Sequence, residues 1–178
     1  MSVRRFLQAT PQIGANTYID DMAVVIGNVT IGDDSSVWPF ASIRGDIHHI
    51  TIGDRTSIQD GCVLHVTHDS EYHPGGQPLI IGNDVTVGHK VTLHACTISS
   101  LCIIGMGSIV LDKAVIESDV ILGAGSLVPP GKTLESGYLW VGAPAVKKRP
   151  LTEKELAFIR YSATSYVKLK NNYLSQSK

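Results

Sequence analysis

The sequence predicts an all-β chain wound as a parallel solenoid and followed by one C-terminal α-helix. Three observations predict it. Aliphatic residues return every six positions along most of the chain, glycine is plentiful at 17 residues while aromatics make up only 6%, and helical spacing is confined to the last thirty residues or so. A period of six holds the period-two alternation of a strand together with a turn, whereas helical spacings of three and four do not fit it. Short strands joined by regular corners stack into coils, and each coil buries its aliphatic residues against the next.

The elements follow in order. Residues 1–18 precede the beat and form an N-terminal segment. The beat then runs through Ile19, Val25, Ile31, Val37 and Ile43, and resumes at Ile52, Ile58 and Leu64. It continues at Ile81, Val87, Leu93, Ile98, Ile104, Val110, Ile116, Leu122 and Val128, with the Leu93 unit one residue short. Two interruptions stand out: three extra residues around His48 to Thr51, and about a dozen from Val66 to Ile80. The first and fifth residues of each unit are expected to point inwards, and the glycines to supply unusual dihedrals at corners. Gly142-Ala143-Pro144-Ala145 marks the end of the coil, so the solenoid is placed over 19–146. In the remainder, 147–178, Thr152 and Glu155 form a capping-box signature after Pro150. Leu156, Ile159, Ala163, Tyr166, Leu169 or Lys170, and Tyr173 then mark an amphipathic helix of about twenty residues, expected along the outside of the solenoid.

Composition removes several function classes. A net charge of −1 provides no basic field for a nucleic acid backbone or an anionic membrane. Charged residues are only 17%, too few for a coiled coil or a disordered tail. No apolar run reaches the ~18–20 residues that span a bilayer, and the first residues lack a signal-peptide pattern. Three cysteines, an odd number, do not suggest a disulfide framework, so a cytoplasmic, reducing location is expected. Cys62 and Cys102 hold inward fifth places and read as small core residues, and the same reading is preferred for Cys96.

So many units in phase over residues 19–140 resemble the hexapeptide-repeat proteins. That resemblance implies a left-handed parallel β-helix with three hexads per coil. Units three apart then lie one above another, about 4.8 Å apart per coil. Ile43, Leu64 and Leu93 share a face on this count, and their second residues, Arg44, His65 and His94, form an outward ladder. His89 stacks near Gln59 and Asp60 on the adjacent face. All seven histidines fall between positions 48 and 94. In a threefold assembly His65 and His94 of one subunit would meet His89 of the next. Three imidazoles with one open position suit a catalytic zinc site, where a closed structural site would supply four protein ligands.

Arg44-Gly45-Asp46, Gln59-Asp60, His65, Gly88-His89 and Leu93-His94 together resemble the gamma-class carbonic anhydrases and their close bacterial relatives. The likeness runs over nearly the whole chain. It implies a homotrimer with a metal at each subunit interface, held by His65, His89 and His94. It further implies that Arg44 and Asp60 pair across the interface, that Asp46 supports Arg44, and that Gln59 orients the reacting water. The sequence departs from the founding members at three places, one of them the acidic loop whose proton-transfer glutamate is replaced here by a short insertion. Ile47 follows Asp46 where they carry a glutamate, leaving His68 and Glu71 of the insertion as candidates for a proton relay, and Tyr166 stands for an asparagine near the metal.

Bound zinc brings the pKa of its water from 15.7 to about 7, which supplies hydroxide for attack on CO2 at neutral pH. The expected function is therefore reversible hydration of CO2 to bicarbonate, slowed by the altered relay. Iron or cobalt would also suit three imidazoles. The competing functions are acyl transfer from coenzyme A, thioester hydrolysis at the same metal, and a trimeric metal-binding scaffold without catalysis.

Overall fold

The computed structural model describes residues 2–176. Its strands stack into a three-sided prism, a left-handed parallel β-helix with three strands per coil. The first face carries Val63–His65, Thr92–His94, Ile109–Val110 and Leu127–Val128 in parallel register. The second carries Leu79–Ile81, Thr97–Ile98, Val115–Ile116 and Thr133–Leu134. The third carries Tyr18–Ile19, Ser36–Val37, Ser57–Ile58, Thr86–Val87, Cys102–Ile104, Val120–Leu122 and Tyr138–Val141. Two long strands, Val24–Ile31 and Ser42–Ile52, bend from the first face into the second. The extra residues near His48 produce the register slip between them, where Gly27 pairs with Gly45 but Val29 pairs with Ile50.

The repeat sets what is buried. First-place Ile58, Leu64, Val87, Leu93 and Ile104 and fifth-place Cys62, Val85, Val91 and Cys102 all have 0% exposure, so one aliphatic column fills the prism. Cys96 is equally buried. Burial pushes the Cys62 thiol up to about 11 and Cys102 up to about 12, and raises Cys96 further. A buried thiol that resists ionisation is a packing residue.

The corners meet the expectation in part, with left-handed glycine at Gly61, Gly107, Gly125, Gly131 and Gly137. The left-handed residue of a corner sits in the fourth place of the unit, and it is often not glycine: Asp34, Arg55, Asp84, Lys90 and Lys113 all have φ between 51° and 61°. In the short Leu93 unit the left-handed residue moves one place earlier, to Ala95 at φ 47°. Second-place glycines serve a different need, which is space. A Cβ on Gly53 would lie 2.2 Å from Asn83 Oδ1, and one on Gly88 would lie 2.9 Å from the Ile104 carbonyl oxygen. On the first face the second place instead carries Arg44, His65 and His94, the column in which two histidines stack.

Both ends extend the solenoid. Val3–Arg4 and Gln12–Ile13 pair in parallel with Val24–Ile31, so strand pairing reaches into the N-terminal segment. After the turn at Gly142 the chain returns as Val146–Pro150, antiparallel to Tyr138–Val141. All five residues of the return strand are exposed, so no alternation marks it in the sequence. The helix Glu153–Gln176 packs on the third face. Thr152 N donates to Glu155 Oε2 at 2.8 Å and Glu155 N to Thr152 Oγ1 at 3.3 Å, the reciprocal bonds of the capping box. Thr86 and Ser162 hydroxyls meet at 2.8 Å, and Trp38 packs against Tyr166 and Tyr173. Of the alternatives Leu169 and Lys170, the structure turns Lys170 inward, fully buried, against Asp34 Oδ1 at 2.8 Å and the Asn16 carbonyl. Among the described residues no helix is long and apolar enough to cross a membrane.

Candidate metal centre

The parallel register places His94 directly over His65, as Leu93 over Leu64. Each imidazole uses one nitrogen on a carboxylate. His65 Nε2 lies 3.0 Å from Asp46 Oδ1, and His94 Nδ1 lies 2.7 Å from Asp112 Oδ1. A carboxylate only accepts, so those nitrogens carry the protons. The remaining two, His65 Nδ1 and His94 Nε2, face one another at 3.3 Å and present lone pairs when both rings are neutral. Two acceptors aimed at one point repel unless a cation or proton lies between them. Two nitrogens each 2.0–2.1 Å from a tetrahedral zinc stand about 3.3 Å apart. The donor set fits a borderline-soft divalent metal.

Charge around the pair keeps it ready for a metal. Burial lowers the pKa of His65, against the raising effect of its bond to Asp46, which favours the neutral ring. Burial alone would raise Asp46, but hydrogen bonds from Arg44 and His65 overcome it and hold the carboxyl below its ordinary value. The Asp112 carboxyl behaves alike: burial opposes, and bonds from the Thr67 hydroxyl and His94 prevail. Arg44, Asp46, His65, His94, Asp112 and Thr67 therefore form one continuous chain of polar contacts along the ladder.

His89 stands elsewhere. It follows Thr86–Val87, whose partners are Ser57–Ile58, so His89 lies over Asp60 at the corner where the third face gives way to the first. Its Nδ1 is 2.9 Å from Asp60 Oδ2, which leaves Nε2 free, and both side chains are 47% exposed. His65 and His94 sit at the opposite edge of the first face. Among the described residues, no group of three metal-binding side chains gathers within the chain.

This geometry can be set beside known proteins. A family model described as bacterial transferase hexapeptide (six repeats) matches residues 10–45. Protein YrdA of Escherichia coli (strain K12) is 57% identical over 174 residues, which cover 98% of this chain and 95% of that one. The carbonic anhydrase of Geobacillus kaustophilus is 42% identical over 89% of this chain and 83% of its own. The chain belongs to the gamma carbonic anhydrase-like branch of the hexapeptide-repeat family. A solved hexapeptide transferase family protein from Anaplasma phagocytophilum has the same fold, with a TM-score of 0.88 at 38% identity over 96% of this chain and 97% of that one.

Within the family fold, the sequence-derived residues separate into groups. Arg44, Asp46, His65 and His94 are joined on the ladder, while Asp60 and His89 are joined at the neighbouring corner with buried Gln59 beside them. Arg44 turns to Asp46 within the chain. Tyr166 stands on the helix against Trp38, and His68 and Glu71 lie exposed in the insertion. Asp112 and Thr67 were missed from the sequence. Asp112 is third in the Val110 unit, one coil beyond Leu93; extending the second-place ladder by a coil reaches Leu111, so Asp112 lies one place beyond that count.

Proposed function

We propose that the protein is a zinc-dependent, cytoplasmic homotrimer that hydrates CO2 reversibly to bicarbonate, each site taking His65 and His94 from one subunit and His89 from the next. The observation that carries this reading is the pair of convergent lone pairs, 3.3 Å apart, each backed by its own carboxylate. His89 has the same design, a free Nε2 behind a carboxylate-bound Nδ1, on an exposed corner available to a neighbour. Iron or cobalt would be held by the same nitrogens.

A zinc ion there would supply Lewis acidity, bringing the pKa of a water to about 7. The chain's own groups do the rest. Asp46, Asp112 and Asp60 hold each imidazole in one tautomer and one orientation, which raises its basicity as a ligand. Gln59 orients the reacting water through its amide. Arg44 reaches from its Asp46 contact towards Asp60 of the next subunit and fixes the register between subunits. Tyr166 offers a phenol for hydrogen bonding, and His68 or Glu71 passes the proton to solvent from the exposed loop. A relay made of exposed loop residues, with Ile47 in place of a carboxylate, makes proton removal the slow step.

Stopped-flow CO2 hydration by metal-loaded and metal-stripped protein tests the proposal. Activity that follows metal content supports it. A fully metallated trimer without hydration would overturn it and leave thioester hydrolysis or a metal-holding role. Acyl transfer from coenzyme A needs one histidine as a base, and three histidines each with a dedicated carboxylate exceed that need.

A further inference from the structure

The insertion between Val63–His65 and Leu79–Ile81 is built as an ordered ring. Thr67 and Gln77 exchange backbone hydrogen bonds of 3.1 and 2.9 Å across its mouth. Ser70 and His73 do the same at 3.2 and 3.1 Å, and Asp69 Oδ1 accepts from Gly75 N at 2.8 Å. His48 Nε2 and the Gly75 carbonyl, 3.3 Å apart, tie the tip to the preceding coil. At the mouth, Thr67 is 8% exposed, and its hydroxyl donates to Asp112 Oδ2. The other oxygen of the same carboxylate accepts from His94 Nδ1. The loop therefore touches the ladder through a strut one carboxylate long.

We propose that Thr67 and Asp112 are positioning residues, a strut through which the insertion sets the tautomer and orientation of His94. The proposal rests on the metal-centre reading and adds what governs metal affinity within it. A carboxylate held on one oxygen only can swing about its Cβ–Cγ bond. Held on both, it presents a fixed acceptor, so His94 keeps its proton on Nδ1 and its Nε2 lone pair towards His65. Removing the Thr67 hydroxyl frees Asp112 to turn to solvent, and His94 then samples both tautomers. The insertion thereby becomes an element that tunes the site while contributing no ligand.

The test uses the full-length protein as Thr67→Val, Thr67→Ser, Asp112→Asn and His94→Ala, each checked for native circular dichroism. Zinc affinity is measured by competition with a chromophoric chelator, and the ring tautomer of His94 by nitrogen NMR of the metal-free protein. Asp112→Asn, which removes the charge behind His94, and Thr67→Val, which frees the carboxylate that holds it, are expected to weaken zinc binding by about 10-fold or more, the lower end of the 10–100-fold seen when the support of a ligand is disturbed, while Thr67→Ser stays within about threefold. The NMR spectrum should show one His94 tautomer in the wild type and in Thr67→Ser, and a mixture in Thr67→Val. A Thr67→Val protein with wild-type affinity and a single tautomer, alongside a His94→Ala protein that has lost zinc, overturns the strut and leaves the metal centre standing. Zinc binding undiminished in His94→Ala overturns the metal-centre reading and the strut's role in affinity with it.

Discussion

Single residues in this protein act through their partners in neighbouring coils, and Lys170 shows how far such partnering overrides a side chain's usual preference. Its ammonium is fully buried yet paired with Asp34 and the Asn16 carbonyl, more than 130 residues away in sequence. The two partners are unequal, because the Asp34 side chain is 39% exposed and Lys170 is not exposed at all. Removing the buried charge altogether leaves an aspartate that water can solvate, whereas neutralising the aspartate leaves a buried ammonium short of its counter-ion. Lys170→Met is therefore expected to cost no more than about 1 kcal/mol, and Asp34→Asn about 2–3 kcal/mol after allowance for exposure. Asparagine tolerates the left-handed conformation at that position, φ 56°, so backbone strain does not enter the comparison. Urea denaturation of the two variants measures the order, and a larger loss in Lys170→Met would contradict it. The helical pattern left Leu169 and Lys170 as equal alternatives because the deciding partner lies on a distant coil. The histidine ladder was legible for the opposite reason: with three units per coil, an offset in sequence converts directly into a position in register. Thr67 escaped that arithmetic because it sits in the insertion, where the beat is lost.

Elements with a strong period were read correctly, and the exceptions are elements whose stability comes from elsewhere. The coils from Ile19 onward follow from aliphatic spacing, since the first residue of nearly every unit and most fifth residues are buried, the exposed exceptions Ile47 and His68 falling at the two interruptions of the beat. Val3–Arg4 and Gln12–Ile13 are two-residue strands held by backbone bonds to Val24–Ile31, and they lie ahead of the beat that marks equally short strands elsewhere. The return strand Val146–Pro150 is held in the same way by Tyr138–Val141. Glycine does supply the left-handed corner at Gly61, Gly107 and Gly125, but at other corners non-glycine residues take that dihedral, and second-place glycine is needed where coils approach too closely for a Cβ. The C-terminal helix was legible from its first turn because the capping box is local. Glu155 there accepts from Arg149 through two bonds of 2.7 and 2.8 Å and from the Thr152 backbone. Those contacts, Arg149 foremost, lower its pKa from 4.5 to about 2. A carboxyl whose folded pKa is depressed stabilises the fold above its unfolded pKa, and that contribution fades as pH falls towards the folded value. Wild-type protein should accordingly melt higher than Glu155→Gln at pH 5, and the gap should nearly close by pH 2. A gap that stays constant across this range would show that the carboxylate's charge does not support the helix start.

At the scale of the whole molecule, the prism separates two jobs that share one sequence. The aliphatic interior and its stacked coils provide the frame, and the outward places of the first face and its two edges hold the candidate metal ligands. His65 and His94 occupy one edge of that face and His89 the other. A rigid coil cannot fold one edge onto the other, so three histidines can meet at one ion only if a second copy presents its opposite edge. Such a contact is heterologous, and a threefold rotation closes it into a ring with one site per seam. Sharing has a numerical consequence that a site within one chain does not. Subunits carrying His94→Ala and subunits carrying His89→Ala each form metal-deficient homotrimers. When they are mixed in equal amounts, unfolded and refolded together, a seam is intact only if the His94-bearing side comes from one variant and the His89-bearing side from the other. Random assembly gives that combination at about one seam in four. Zinc content and hydration activity should both recover to about one quarter of wild type. Recovery of neither, with mixed trimers demonstrated by mass, would place each site within a single chain and overturn the shared centre.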